Sequence, residues 1–172
     1  PGLGETVWKL HVGQPISTSP SFADGTIYIA NADGYVHALD SQTGQEKWKS
    51  PQTSGKYMMS FSSPIIADGV LYVGNNAEFL ALDSQTGQEK WKSDLYLIES
   101  SPAVVDGVVY VGAGFSLHAL DSQTGQDIWQ FTTKGQVISS PAVKDGMVYF
   151  GSKDRGVYAL DSQTGQLKWE FK

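Results

Sequence analysis

The sequence predicts an all-β chain built from four copies of one four-stranded antiparallel blade, which is the arrangement of a β-propeller. The string Ala-Leu-Asp-Ser-Gln-Thr-Gly-Gln occurs four times, at steps of 43, 38 and 40 residues. Between the copies, apolar residues alternate with a period of two and are rich in Val, Ile, Tyr and Trp. This pattern indicates strands and leaves no window for a helix of useful length.

Other short features keep the same phase in every repeat. A Ser-Pro pair comes first, an Asp-Gly pair and a Tyr follow, and a Trp closes the unit after the Ala-Leu-Asp string. The closing residues are Trp48, Trp91, Trp129 and Trp169, and Trp8 stands alone before the first unit. Four equivalent structural units are therefore predicted.

Turn chemistry supports a four-stranded meander within each unit. In the first unit we predict strands at residues 16–22, 26–30, 35–39 and 46–49. Asp24-Gly25 suits a two-residue primed turn, because Gly adopts a positive φ without steric cost. In the later loop, the Asp40 carboxylate and the Thr43 hydroxyl can bond the loop's own backbone, and Gly44 can supply a left-handed residue.

A meander of this size has two apolar faces that it cannot cover itself, so it is stable only beside copies of itself. We therefore predict that residues 1–172 form one domain in which the units stack around an axis. The blades are predicted at approximately 12–49, 50–92, 93–130 and 131–172, and residues 5–11, around Trp8, form an extra outer strand.

Composition excludes several classes of protein. The net charge is −6, and Lys and Arg form no stripe, so we expect no nucleic-acid partner. The chain has no cysteine, which removes disulfides, thiolate nucleophiles and cysteine-ligated metals. No run approaches the roughly 20 apolar residues of a membrane span, and the first five residues resemble no signal peptide. The compartment stays unassigned.

Polar side chains in the units are interpreted as structural, and we predict no catalytic, cofactor-binding or metal site. Asn31 to Gly34 lacks the ligand spacing of a calcium loop. His37 and His118 fall at a position that holds Ala or Tyr in other units, which indicates packing. His11 lies in a connection.

The Ser-Ser-Pro strands are predicted to be innermost. Thr18, Ser62, Ser100 and Ser139 would then form a ring of hydroxyls around a hydrated channel, with Glu99 as the nearby acid. No His that could activate a serine lies in these strands.

One connection carries a candidate binding spot. Residues 50–61 are longer than their counterparts and include Tyr57, Met58 and Met59. Such side chains on a propeller rim suit a protein partner, although packing over the neighbouring blade or a subunit contact is the favoured interpretation.

With Ala-Leu-Asp-x-x-Thr-Gly-x-x-x-Trp in every unit, the chain resembles the pyrroloquinoline-quinone-type repeat. This is the blade of quinoprotein alcohol dehydrogenases and of an outer-membrane assembly lipoprotein. The resemblance implies a tryptophan-docking motif, in which each outer Trp packs on the Thr-Gly turn of an adjacent blade. The residues implied are Trp48, Trp91, Trp129 and Trp169 with Thr43, Gly44, Thr86, Gly87, Thr124, Gly125, Thr164 and Gly165.

The resemblance stops short of catalysis. Dehydrogenases of the family have about eight blades, a vicinal cysteine pair against the quinone, and a calcium ion held by Glu, Asn and Asp. This chain has half the blades and no cysteine, so we expect no cofactor and no enzyme. A quinone- or metal-dependent dehydrogenase fragment is the least favoured interpretation, and the protein-binding lipoprotein is the nearer analogue. Family members are mostly extracytoplasmic.

The loop is identical in all four units while the inner strands differ, which indicates consensus engineering or recent amplification of one blade. We therefore expect a self-assembling structural repeat protein. A natural scaffold that binds protein or glycan is the alternative.

Four wedge-shaped blades of this family span about half a circle, so we predict a head-to-tail homodimer that forms one eight-bladed ring. The alternative is a monomer whose four blades close into a ring by themselves. The four units each end in an outer strand, and the Trp8 segment is a fifth. Either the Trp8 segment or the Trp169 segment is therefore spare, and the sequence leaves open which.

Overall fold

A computed structural model describes residues 5–51 and 62–172, and in these ranges it contains sixteen β-strands and no helix. Blade 1 consists of β1 (Ser21–Ala23), β2 (Thr26–Ala30), β3 (Val36–Asp40) and β4 (Glu46–Lys49). Blade 2 consists of β5 (Ile65–Ala67), β6 (Val70–Gly74), β7 (Phe79–Asp83) and β8 (Glu89–Ser93). Blade 3 consists of β9 (Ala103–Val105), β10 (Val108–Ala113), β11 (Ser116–Asp121) and β12 (Asp127–Thr132). Blade 4 consists of β13 (Ala142–Lys144), β14 (Met147–Gly151), β15 (Val157–Asp161) and β16 (Leu167–Phe171).

Each blade is an antiparallel sheet whose strands follow one another in chain order, as predicted. The Asp-Gly turn between the first two strands has positive φ at both residues, 47° at Asp24 and 70° at Gly25 in blade 1. Two positive φ angles define the primed turn, whose twist matches that of the flanking strands. The turn chemistry predicted from the sequence is therefore confirmed.

The outer strand of each blade carries a bulge that aims its tryptophan. In blade 1, Ala38 pairs with Trp48 and Leu39 pairs with Glu46, so Lys47 is the extra residue. Tyr28 also pairs with Ala38, on the opposite side. Residues directly opposed across strands point to the same face. Tyr28, Ala38 and Trp48 therefore form one row, in which the small Ala lets both rings project toward the next blade.

The core lies between successive blades rather than within them. One cluster joins blades 1 and 2, a second joins blades 2 and 3, and a third joins blades 3 and 4. The first strands also contact one another in series, β1 with β5, β5 with β9, and β9 with β13. Within the described ranges no contact joins β13 to β1, so the blades form an open arc.

The innermost strand is shorter than the sequence predicts. It was expected at residues 16–22, but β1 covers only Ser21–Ala23. Two residues before it, Ser19 bonds the next blade instead of a strand ladder, since the Ser19 N–H donates to Ser63 Oγ at 2.9 Å. Residues 5–11, expected as an extra strand, belong to no strand of this chain.

The expected ring of hydrated hydroxyls is wrong for three of its members. Thr18, Ser62 and Ser100 are buried. Their hydroxyls bond their own blades: Thr18 Oγ1 donates to the Ala30 carbonyl at 3.0 Å, and Ser62 Oγ accepts the Gly74 N–H at 2.9 Å. These hydroxyls satisfy the inner end of the second strand, because buried backbone groups need partners.

Candidate functional site

The junction between blades repeats one polar contact. The Trp48 indole Nε1 donates to the Ser84 carbonyl of the next blade at 3.0 Å. The same bond joins Trp91 to Ser122 at 2.9 Å and Trp129 to Ser162 at 3.0 Å. Each tryptophan therefore contacts the blade that follows it in the chain, and all three junctions point in the same direction.

A glycine in the receiving turn makes room for the indole. A Cβ on Gly87 would lie 2.5 Å from the Trp48 ring, and one on Gly125 would lie 2.4 Å from the Trp91 ring. Both glycines also have positive φ, 72° in each case. Backbone conformation and close ring contact thus both require glycine here.

The tyrosine of each row shares the tryptophan's acceptor. Tyr28 OH donates to the Ser84 carbonyl at 3.0 Å, and the rings of Tyr28 and Trp48 lie 5.9 Å apart. Tyr72 and Tyr110 repeat the bond on Ser122 and Ser162, at 3.2 and 3.1 Å. Burial raises the pKa of both Tyr72 and Tyr110 above its usual value. One carbonyl thus satisfies both polar atoms of an otherwise apolar contact.

Inside the receiving turn, the threonine bonds the aspartate of the same turn. Thr124 donates to Asp121 Oδ1 through its backbone N–H at 2.8 Å and through its hydroxyl at 2.9 Å. The hydroxyl bond, followed by the backbone bond, lowers the pKa of Asp121 below its usual range. Thr43, Thr86 and Thr164 make the same pair of bonds to Asp40, Asp83 and Asp161. The threonines therefore shape the turn that receives the ring.

A second series of bonds joins the blades near the axis. The Ser63 N–H donates to Ser101 Oγ, and the Ser101 N–H donates to Ser140 Oγ, both at 3.1 Å. With the Ser19 to Ser63 bond, each of the three junctions has one such link.

Blade 4 carries the same row, and among the described residues no blade lies against that row. Trp169 is 46 % exposed, whereas Trp91 is 9 % exposed. Tyr149 and Trp169 lie 6.0 Å apart, as in the other rows. Among the described residues, neither Tyr149 OH nor Trp169 Nε1 has an acceptor. Every residue of β16 is exposed, including Phe171 at 71 %.

The first blade has its receiving turn filled from within the chain. Trp8 Nε1 donates to the Ser41 carbonyl at 3.0 Å, and the Trp8 ring lies 2.7 Å from where a Cβ on Gly44 would be. Trp8 thus makes on blade 1 the contact that Trp48 makes on blade 2. No tyrosine shares the Ser41 carbonyl in the described part of the chain.

The remaining sequence-predicted positions lie elsewhere. Tyr57, Met58 and Met59 fall outside the described residues. His37 and His118 are buried in the sheet, where each Nδ1 bonds a carboxylate of the outer strand: Glu46 at 2.7 Å and Asp127 at 2.9 Å. The sequence did not reveal these His–carboxylate pairs, although both acids follow the loop at equivalent positions.

The residues present do not fit the quinone and calcium site of the dehydrogenases. The sequence has no cysteine for the quinone, and the ranges 5–51 and 62–172 contain no group of three His, Cys, Asp or Glu placed to hold a metal ion. No helix in these ranges is long and apolar enough to cross a membrane.

Fold and junction chemistry together define a β-propeller of the pyrroloquinoline-quinone-type repeat. The sequence matches the family described as outer membrane protein assembly factor BamB over residues 3–97 and again over residues 75–172, and the chain belongs to this family. No curated protein matches the sequence.

Solved structures show the same fold. BamB from Moraxella catarrhalis is 21 % identical with a TM-score of 0.82, and the match covers 98 % of this chain and 55 % of that one. Quinohemoprotein alcohol dehydrogenase from Comamonas testosteroni is 19 % identical with a TM-score of 0.80, over 92 % and 35 % of the chains. The computationally designed Ika4 protein is 20 % identical with a TM-score of 0.79, over 92 % and 99 %. The chain thus spans about half of BamB and about a third of the dehydrogenase.

Proposed function

We propose that this chain is a non-catalytic half-propeller whose activity is self-assembly, with two copies joined head to tail in one eight-bladed ring. The observation that carries the proposal is the row on the last blade, in which Trp169 is exposed and Tyr149 is partly buried. The same row is docked at all three junctions within the chain, where each indole finds a Ser carbonyl in the blade that follows. A second copy supplies that following blade.

The two ends of the arc are complementary in several groups at once. The last blade offers the Trp169 and Tyr149 donors, and blade 1 carries the Ser41 carbonyl. Near the axis, the Ser140 N–H is the next donor in the series, and Ser19 Oγ on blade 1 is its equivalent acceptor. An interface that repeats three times within one molecule is thus cut once at the ends, and joining the ends restores it.

An apolar contact is also cut at the ends. Ile98 and Val137, from the connections into blades 3 and 4, are fully buried against Gly74 and Gly112 of the preceding blade. Ile16 occupies the equivalent place before blade 1 but is 47 % exposed. On the last blade, the three atoms nearest to a Cβ added to Gly151 all belong to its own unit. Ile16 of a second copy would cover Gly151.

The size of the arc supports closure with two chains. The structural match to BamB covers 98 % of this four-bladed chain but only 55 % of BamB. A head-to-tail contact closes into a ring when its rotation divides the circle and otherwise grows as an open filament. Two chains that each span half a circle therefore close into one ring.

Sedimentation equilibrium tests this proposal. We expect a species of twice the 18.6 kDa chain mass at micromolar concentration, in reversible exchange with the monomer. A monomer at every concentration would favour the closed four-bladed alternative and overturn the proposal. Larger species that grow with concentration would also overturn it, because they indicate filaments.

We further propose that the chain is a product of consensus engineering. Four identical eight-residue strings beside divergent inner strands support this origin. The match to the computationally designed Ika4, over nearly the whole of both chains, supports it as well.

A protein-binding scaffold is a second candidate function, favoured by membership of the BamB family. Its proposed contact is the connection with Tyr57 and Met58. In a pull-down with immobilised protein, the Tyr57→Ala and Met58→Ala variants should no longer capture the partner that wild type captures. The Gln52→Ala variant, in the same connection, should still capture it. Equal capture by all variants would contradict this role.

A further inference from the structure

We propose that residues 5–12, here called the cap, are an intramolecular competitor of assembly. The cap fills the receiving turn of blade 1 until β16 of a second copy displaces it. This inference rests on the proposed self-assembly, and it assigns the spare outer strand that the sequence leaves open. The partner is a second copy of this chain, recognised through Trp169 and Tyr149.

Trp8 occupies the site that Trp169 of a second copy requires. Its distance to the Ser41 carbonyl, 3.0 Å, equals those of Trp48 and Trp129 to their acceptors. The same ring atoms, Cδ2 and Cε3, approach Gly44 as approach the other receiving glycines. Two indoles cannot share this space, since a single methyl group already would not fit. Docking of a second copy therefore requires Trp8 to leave.

Most of the cap is exposed and lies outside the strand ladders. Residues 5–12 join no strand ladder, and Val7 and Leu10 are 67 % and 42 % exposed. Besides the indole bond, Asn31 Nδ2 donates to the Val12 carbonyl at 3.0 Å. A segment that lies outside the strand ladders opens at low free energy.

β16 is held more firmly in its own blade. It pairs with β15 from Val157↔Phe171 to Leu160↔Leu167, and Lys168 Nζ lies 3.2 Å from Asp161. The alternative, in which the cap replaces β16 in the partner's last blade, requires this ladder to break first. Val7 stands where Lys168 does relative to its Trp, so the exchanged strand would also lose the ion pair. Displacement of the cap is therefore the easier route.

The incoming blade brings more than the cap does. Tyr149 adds the second donor to the Ser41 carbonyl, the place that Tyr28, Tyr72 and Tyr110 fill at the internal junctions. The cap has no tyrosine to offer. A second copy therefore wins at sufficient concentration, and the cap sets how high that concentration must be.

Dissociation constants of single variants test the inference, measured by sedimentation velocity over a dilution series. Trp8→Ala should lower the dimer dissociation constant, and Trp169→Ala should raise it, each by roughly tenfold or more. Phe115→Ala is the matched control, since Phe115 is a 53 % exposed aromatic on blade 3, away from both ends, and should change nothing.

The outcomes separate the cap from the assembly it regulates. If Trp8→Ala weakens the dimer or leaves its dissociation constant unchanged, the cap is overturned while the dimer stands; weakening would point to strand exchange. If wild type forms a dimer and Trp8→Ala forms a tighter one, both proposals are supported. If both are monomeric, the proposed function itself fails.

Hydrogen exchange on the wild-type chain provides a test that needs no variant. On going from dilute monomer to dimer, the backbone amides of residues 166–172 should exchange more slowly, while those of residues 6–12, which donate no hydrogen bond to the described backbone in the monomer, should stay unprotected. Slower exchange of residues 6–12 in the dimer would overturn the cap, because it would mean that this segment has entered a ladder.

Discussion

Trp129 and Trp169 lie forty residues apart after identical loops, yet their surroundings differ. Trp129 is partly buried on the Gly165 turn and donates to the Ser162 carbonyl at 3.0 Å. Trp169 keeps the same tyrosine beside it and the same bulge before it, but it is 46 % exposed. The local motif therefore aims the indole, and only the next blade buries it.

Removal of a docked tryptophan should have the largest effect. Trp91 is 9 % exposed, so Trp91→Ala should lower the free energy of unfolding by about 3–5 kcal/mol. Trp169→Ala, measured on dilute monomer, should cost less than about 0.5 kcal/mol. Urea unfolding followed by circular dichroism measures both. Equal losses would show that the motif stabilises its own blade and does not depend on a neighbour.

Glycine substitutions should sharpen the contrast between a turn that receives a ring and one that does not. Gly87 and Gly69 lie in one blade with φ of 72° and 74°, but only Gly87 has an indole against it. Both Ala variants carry about 1–2 kcal/mol of left-handed backbone strain. Gly87→Ala should lose about 1–3 kcal/mol more, because the Trp48 ring must move. Thermal or urea unfolding of the pair gives the difference, and similar losses would argue against close ring contact.

Acid titration should give the smallest effect, on the turns themselves. The folded-state pKa of Asp121 is depressed, so its carboxylate stabilises the fold above the unfolded pKa of about 3.9. That stability is lost as pH falls below this value and through the folded pKa. Thr124→Val removes the hydroxyl bond, so the pKa of Asp121 should rise toward its usual value and the acid dependence should become shallower.

Carboxyl-detected NMR titration measures this pKa directly. Gln123→Ala is the control, because only the backbone N–H of Gln123 bonds Asp121. An unchanged Asp121 titration in Thr124→Val would contradict the role assigned to the hydroxyl.

Features fixed by neighbours in the chain could be predicted from the sequence. The Asp24-Gly25 turn and the left-handed Gly44 depend on local backbone preference, and both were predicted correctly. The four-sheet organisation followed from the repeat, because one blade cannot bury its own faces.

Features that depend on which groups meet in space could not be predicted from the sequence. Ser19 and Thr18 are adjacent polar residues, but Ser19 bonds the next blade while the Thr18 hydroxyl is buried against Ala30. Nothing in their residue types separates them. Similarly, the loop after Ala159 matches the others, so the loop itself does not distinguish the exposed Trp169 from the docked tryptophans.

Because every indole points forward along the chain, the junctions have a polarity. An array of such units carries a donating tryptophan row on its last blade and a receiving turn on its first blade, however many units it holds. Genes that encode two or six blades would therefore present the same pair of edges as this one. The geometry of the wedge decides how many blades complete the circle, and identical chains close a ring only when their blade number divides that total.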